Sequence, residues 1–162
     1  MTSARRGVLP ATSLRMSRVR HRDTAPELIV KRKLRKLGLR FRCHLASLPG
    51  SPDITLLERR VVIRVNGCFW HGHRCRRGRL PASNRAFWRA KIARNRLRDR
   101  QTRTQLRCLG WKVLTVWECQ LPSMTAKEIL RRLKRLKLPR NHRGAGRSSS
   151  VSAEAHPRSR SL

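Results

Sequence analysis

The segment Cys68-Phe69-Trp70-His71-Gly72-His73-Arg74-Cys75 concentrates two thiols and two imidazoles within eight residues. Thiolate sulfur and imidazole nitrogen are the donors that zinc prefers. Cys68, His73 and Cys75 are three candidate ligands from this segment. A tetrahedral structural site needs a fourth, and Cys119 follows the strand expected to end at Trp117. The spacing matches no common zinc-finger pattern. The alternative is that these cysteines are ordinary buried thiols and the histidines surface residues.

A second chemical signal is Pro52-Asp53, placed just before two short strands joined by a tight turn. A carboxylate at the start of such a hairpin suits a metal-dependent nuclease, where an acidic group holds Mg²⁺ against the scissile phosphate. Asp is also common in turns, so the pair alone leaves both readings open. The third signal is Phe69-Trp70, adjacent aromatics in a chain with three Phe and no Tyr. An exposed pair would suit wedging between bases. The alternative is one ring in the core and one in a loop.

These residues must be positioned by the elements around them. Thr24-Ala25-Pro26-Glu27 reads as a capping box with Pro in the first turn, opening a helix with Ile29, Val30, Leu34 and Leu37 on one face and Gly38 at its end. Leu48-Pro49-Gly50-Ser51-Pro52 is loop chemistry. Ile54 to Leu57 and Val61 to Val65 read as strands joined by Glu58-Arg59-Arg60. Asn84 to Leu109 reads as a long helix carrying Trp88, Ile92, Leu106 and Leu109, closed by Gly110. Trp111 to Trp117 reads as a strand. Thr125 to Glu128 is a second capping box, before a helix burying Ile129, Leu130, Leu133 and Leu136. Helix, hairpin, helix, strand, helix predicts an α/β sandwich with a central mixed sheet.

The charge names a class of partner. Lys and Arg number 41 against 8 Asp and Glu, a formal net charge of +33. Self-repulsion of that size is best relieved by a polyanion, and nucleic acid is the leading candidate; the alternative is that genome composition bias has put Arg in place of Lys and neutral surface residues. No run of 18 apolar residues predicts a membrane span, and no apolar segment behind Arg5 and Arg6 resembles a signal peptide. A cytoplasmic, nucleoid-associated protein is expected, in which five cysteines mean metal ligands or buried thiols rather than disulfides. Residues 1–12 are expected to be disordered, 13–138 to form the domain, and 139–162, rich in Arg, Ser, Gly and Pro, to form a solvated basic tail.

An ordered set of segments is more specific. Met16-Ser17-Arg18-Val19-Arg20, Asp23-Thr24-Ala25-Pro26-Glu27-Leu28, Ser47-Leu48-Pro49-Gly50-Ser51-Pro52-Asp53, Asn66-Gly67-Cys68-Phe69-Trp70-His71, Phe87-Trp88 with Lys91-Ile92 and Asn95, Leu109-Gly110-Trp111-Lys112-Val113-Leu114 and Val116-Trp117-Glu118-Cys119 together resemble the Vsr (very short patch repair) endonuclease family over residues 13–121.

The resemblance implies a fold like that of type II restriction endonucleases, and nicking of double-stranded DNA 5′ to the thymine of a T:G mismatch left by deamination of 5-methylcytosine. It implies that Asp53 binds the catalytic Mg²⁺ with the backbone carbonyl of Val65. His71 is the implied catalytic histidine, Asp99 its acidic partner and Glu27 a supporting acid. Cys68, His73, Cys75 and Cys119 fall on the structural zinc ligands. Phe69 and Trp70, with Met16 from the N-terminal arm, fall on residues that wedge beside the mismatch. The enzyme is expected to act as a monomer, with other mismatch-repair proteins as possible partners.

Three features depart from the family. Asn66, a further candidate catalytic residue, stands where His or Asp is usual, and an amide neither binds a cation as a carboxylate does nor exchanges a proton. Arg64 puts a charge into a strand normally more apolar there. The basic tail has no counterpart. Two rivals therefore accompany the nicking enzyme: a non-catalytic, zinc-stabilised DNA-binding relative, and a restriction-type nuclease.

Overall fold

The computed structural model describes residues 22–136. Met16 of the expected wedge, the expected disordered residues 1–12 and the basic tail 139–162 lie outside the described residues.

Helix α1 spans Ala25–Lys36 with Pro in its first turn, where no intrahelical N–H is missed. The expected capping box does not form, because the Thr24 side chain caps no backbone N–H. Thr24 Oγ1 donates to Glu27 Oε1 at 2.7 Å instead of accepting a backbone N–H, and Glu27 Oε2 accepts the N–H of Asp23 at 3.0 Å. The buried stripe also differs from the apolar one: it is Glu27, Val30, Lys31 and Leu34, while Ile29 is 37% exposed. Those four positions follow the i, i+3, i+4, i+7 spacing of one helix face, but two are charged, so a search for apolar periodicity passes over them. Gly38 ends the helix at φ +66°.

Strand β1 is Ile54–Leu56, and Leu57, expected inside it, instead opens a 3₁₀ turn over Leu57–Arg59 and is exposed. Strand β2, Val61–Asn66, is central. It pairs antiparallel with β1, Ile54 opposite Ile63, and parallel with β3, Lys112–Trp117, Val61 opposite Lys112 and Asn66 opposite Trp117. A parallel pair needs a crossover, which α2, Arg85–Cys108, supplies. Trp88, Ile92 and Leu106 are buried on α2, whereas Leu109, expected among them, follows the last helical residue and is 52% exposed. Helix α3, Ala126–Arg135, carries one half of the expected capping box: the Thr125 hydroxyl accepts the Glu128 N–H at 3.1 Å, while the Glu128 carboxylate turns to Arg131 and Arg132. It buries Ile129 and Leu133; Leu130 and Leu136 are half-buried.

Alternate strand residues point to opposite faces. Val61 and Ile63 join Val30, Leu34, Ile54, Leu56, Leu114, Val116, Ile129 and Leu133 in one apolar cluster, so α1 and α3 cover this face. Arg64, on the other face, meets Asp99 of α2. The expected sandwich with a mixed sheet is thus the observed one. Because β1 runs against β2 and β3, the residue before β1 and the last residues of β2 and β3 meet at one end of the sheet. Asp53, Asn66 and Trp117 are those residues, and the loop carrying Cys68 to Cys75 leaves from there.

Candidate active site and metal centre

A cleft of about 540 Å³ opens at this end of the sheet, lined among others by Glu27, Asp53, Val65, Asn66, Trp70 and His71. Asp53 is half-buried, and its Oδ2 accepts the Val65 N–H at 2.7 Å. That bond orients the backbone: the N–H and C=O of one strand residue point to the same side, so the Val65 carbonyl also points past the end of β1 toward Asp53. Burial pushes the Asp53 carboxyl above the usual carboxylate range; the Val65 N–H opposes this and the nearby Glu27 carboxylate adds to it. A half-buried carboxylate, a second acid and a backbone carbonyl are hard oxygen donors of the kind that Mg²⁺ takes.

His71 lines the same cleft, and its Nδ1 is hydrogen-bonded to Asp99 Oδ2. With Nδ1 so held, Nε2 is the nitrogen left for a substrate or water. The other oxygen, Asp99 Oδ1, accepts from Arg64 Nη2 at 2.7 Å. Burial works to raise Asp99, but the bonds from His71 and Arg64 outweigh it and hold the carboxyl below its usual range. The contribution of ionised Asp99 to stability is therefore complete above the ordinary carboxylate range and is lost as pH falls through the lowered value. Arg64, anomalous in the sequence, is thus the second partner of the acid that orients His71.

The four sulfur and nitrogen candidates come together. Donor atoms of Cys68, His73, Cys75 and Cys119 all lie within 4.8 Å of one another. A tetrahedron with metal–sulfur bonds of 2.3 Å has ligand atoms about 3.8 Å apart, so a cation fits with small side-chain movements. Cys119 Sγ lies 3.5 Å from His73 Nδ1, and the Cys119 N–H points at Cys68 Sγ at 3.4 Å. Burial pushes the Cys68 thiol up to about 12, while the hydrogen bond with His73 lowers Cys75 to about 6. Three sulfurs and one imidazole suit a borderline-soft divalent cation. Trp117 stacks on His73 with ring centroids 4.3 Å apart, fixing the plane of that imidazole.

Phe69 and Trp70 are neither an exposed pair nor one core and one loop residue: both are half-buried. Phe69 meets Trp70 edge to face at 5.1 Å and Trp88 at 5.0 Å, and Trp70 lies 6.1 Å from Trp88. Asn95 on α2 donates to the Trp70 carbonyl at 2.9 Å. The aromatic loop is thus docked on α2 and rims the cleft.

Some site residues had no chemical signal in the sequence. Glu118 accepts the Cys68 N–H at 3.3 Å and pairs with Arg77 at 3.1 Å, tying the β3 end to the loop of the Cys/His cluster. His44 Nε2 is buried without a hydrogen bond, 3.6 Å from Glu27 Oε2. Asp23, Glu27 and His44 have donor atoms close enough for a cation, but Lys31 Nζ, 2.5 Å from Asp23 and 4.0 Å from Glu27, already supplies the positive charge.

Residues 10–77 match the family described as DNA mismatch endonuclease Vsr. The type II nicking enzyme V.XorIIP of Xanthomonas oryzae pv. oryzae is 47% identical over 113 residues, covering 70% of this chain and 83% of that protein. The type II nicking enzyme V.NmeAIP of Neisseria meningitidis is 40% identical over 121 residues, covering 74% and 86% respectively. DNA mismatch endonuclease Vsr of Escherichia coli is 47% identical over 109 residues, covering 67% and 70%. With this coverage, and with the cleft and the Cys/His centre assembled as described, the chain belongs to the Vsr family of DNA mismatch endonucleases.

Proposed function

We propose that this protein nicks one strand of double-stranded DNA 5′ to the thymine of a T:G mismatch, repairing the product of 5-methylcytosine deamination. The observation that carries the reading is the junction of Asp53, bound to the Val65 N–H, with His71, bound to Asp99, in one cleft. The name of the Escherichia coli relative speaks of mismatches, and the names of the other two of nicking. The fold is read as a small restriction-endonuclease-like domain over residues 13–138, acting as a monomer.

The residues divide the chemistry. Asp53 and the Val65 carbonyl would hold Mg²⁺, which when bound polarises the phosphate and stabilises the departing oxygen. Glu27 adds negative charge beside them. His71, fixed through Nδ1, takes or gives the proton of the attacking water through Nε2. Asp99 holds the ring in that tautomer, and Arg64 keeps Asp99 ionised. Cys68, His73, Cys75 and Cys119 would hold zinc with no open position, a structural role that stiffens the loop presenting His71, Phe69 and Trp70. Incubation with Mg²⁺ and end-labelled duplexes carrying T:G, T:A and other mismatches tests the reading. A nick 5′ to the mismatched T supports it; equal cutting of T:A duplexes would point to a restriction-type nuclease.

Phe69 and Trp70 are read as the wedge that unstacks the mismatched step, where unstacking costs least. Replacing both with Ala is expected to lower the preference for T:G over T:A. It is also expected to lower stability, because Trp88 loses two ring partners. Fully buried aromatics cost about 3–5 kcal/mol on truncation to Ala, and half-buried rings are expected near half of that. Cleavage ratios and thermal midpoints measured together check both parts.

Asn66 supports a second reading, a DNA-binding relative with little turnover. It is buried at the end of β2 and lines the cleft, and no described group hydrogen-bonds its amide. Asn donates to a phosphate oxygen without ionising, so the expected enzyme is active but slow. Asn66→His is expected to raise the single-turnover rate by about 10-fold or more, the low end of what a positioned acid or base contributes. Equal rates remove Asn66 from the chemistry. Rescue from no detectable nicking favours the binder.

A further inference from the structure

On the other side of His71 and Asn66 lies a second concavity of about 400 Å³, and five of its twelve lining residues are arginines against one acid. Arg96, Arg100 and Arg103 reach it from α2, Arg74 from the metal-centre loop and Arg64 from β2. The α2 residues are spaced i, i+4, i+7, which puts them on one helix face. Asp99 is the sole acid among the residues lining the groove, and both its oxygens are already committed, to Arg64 and His71. Among the described residues, no ion pair or side-chain hydrogen bond engages Arg74, Arg96, Arg100 or Arg103, and all four are exposed. Holding this much like charge in one concavity without a counterion raises the free energy of the free protein, and a polyanion relieves it. Guanidinium groups suit phosphate oxygens in particular, because their donors form a planar fork.

We infer that this groove seats the sugar-phosphate backbone of a DNA strand, taking phosphates that flank the bond to be cut. The inference rests on the reading of the protein as a DNA endonuclease and adds where the strand runs. His71 and Asn66 line both the cleft and the groove, so a strand with its reacting phosphate at His71 continues directly into the arginines. Arg96 to Arg103 spans about 10 Å at the helical rise, equal to about three base-pair steps measured along the duplex axis. Contacts of this kind set register on the duplex and carry no base information. They therefore predict affinity and salt dependence, not mismatch preference.

The test compares the intact protein with two triple variants. One carries Arg96→Gln, Arg100→Gln and Arg103→Gln. The other carries Lys127→Gln, Lys134→Gln and Arg135→Gln, which removes the same charge from exposed positions of α3 on the opposite side of the sheet. Affinity for a T:G duplex and its T:A control is measured across a salt series. Each lost phosphate contact flattens the log–log slope by about 0.9, so the groove variant is expected to flatten it by about 2–3 and the α3 variant by less than about 1. The affinity loss is expected to be equal on both duplexes. Ethylation of two or three consecutive phosphates beside the nick is expected to hinder the intact protein and not the groove variant. Equal slope changes in the two variants, or none in either, would overturn the groove while leaving the endonuclease reading intact. Failure of the mismatch reading looks different: the intact protein would show no preference for T:G, with the slope difference between variants preserved.

Discussion

Asp53→Asn is expected to abolish nicking and, at the same time, to raise the thermal midpoint measured without Mg²⁺. The activity loss is expected to reach about 10³-fold or more, about 4 kcal/mol, the upper range for removal of one preorganised electrostatic group. The stability gain follows from the direction of the pKa shift. Burial raises Asp53 above its ordinary value, so its ionised form is disfavoured in the fold relative to the unfolded chain. Above the ordinary carboxylate range, ionisation of Asp53 therefore destabilises the native state, and the effect grows as pH rises to the raised folded value, then stays constant. Asparagine removes the charge and keeps an oxygen to accept the Val65 N–H. The same logic makes Mg²⁺ stabilising: titrating it at neutral pH is expected to raise the midpoint of the natural protein and not that of Asp53→Asn. Binding to mismatched duplex is expected to persist, because the arginine contacts are untouched. Undiminished nicking by Asp53→Asn would remove this residue from the reaction, and a lowered midpoint would contradict the burial argument.

Cys68→Ser is expected to have the largest effect on the fold. Cys68 is fully buried, and its sulfur receives the Cys119 N–H at the junction of the β2 and β3 ends. Zinc held by four ligands in small peptides contributes about 10–16 kcal/mol near neutral pH, comparable to the whole stability of an ordinary domain at about 5–15 kcal/mol. Loss of one ligand of four is expected to cost about 3 kcal/mol or more here, lowering the midpoint by more than about 10 °C. Metal analysis is expected to fall from one zinc per chain to a fraction of that, with Cys75→Ser and Cys119→Ser behaving in the same direction. Chelation of the natural protein is expected to reproduce the loss and added zinc to reverse it. A zinc-free natural protein, or one whose stability ignores both chelator and Cys68→Ser, would leave the cluster as ordinary thiols.

The sequence by itself determined the local parts of this protein. Thr125 with Glu128 opens α3, Gly38 closes α1, and the β-branched run Val61 to Val65 builds the central strand; each signal acts within a few residues of its effect, where propensity and caps dominate. Three of the four candidate soft donors also sit within eight residues, so their clustering was legible before any folding argument. The tertiary structure decided what lies further apart. Register between antiparallel β1 and β2 sets Asp53 against Val65, and with it the direction of a carbonyl that no side-chain pattern encodes. The α2 crossover carries Asp99 back over the sheet to His71 and Arg64, so a charge that looked misplaced in a strand became the partner of an acid 35 residues away. Glu27 and Lys31 occupy the buried stripe of α1 because Asp23 and Thr24 supply partners there, a compensation that hydrophobic periodicity cannot express. The division has one cause: local signals depend on backbone preferences over a turn of helix or a strand pair, whereas burial of a charge or the aim of a carbonyl is stable only once distant elements have packed to satisfy it.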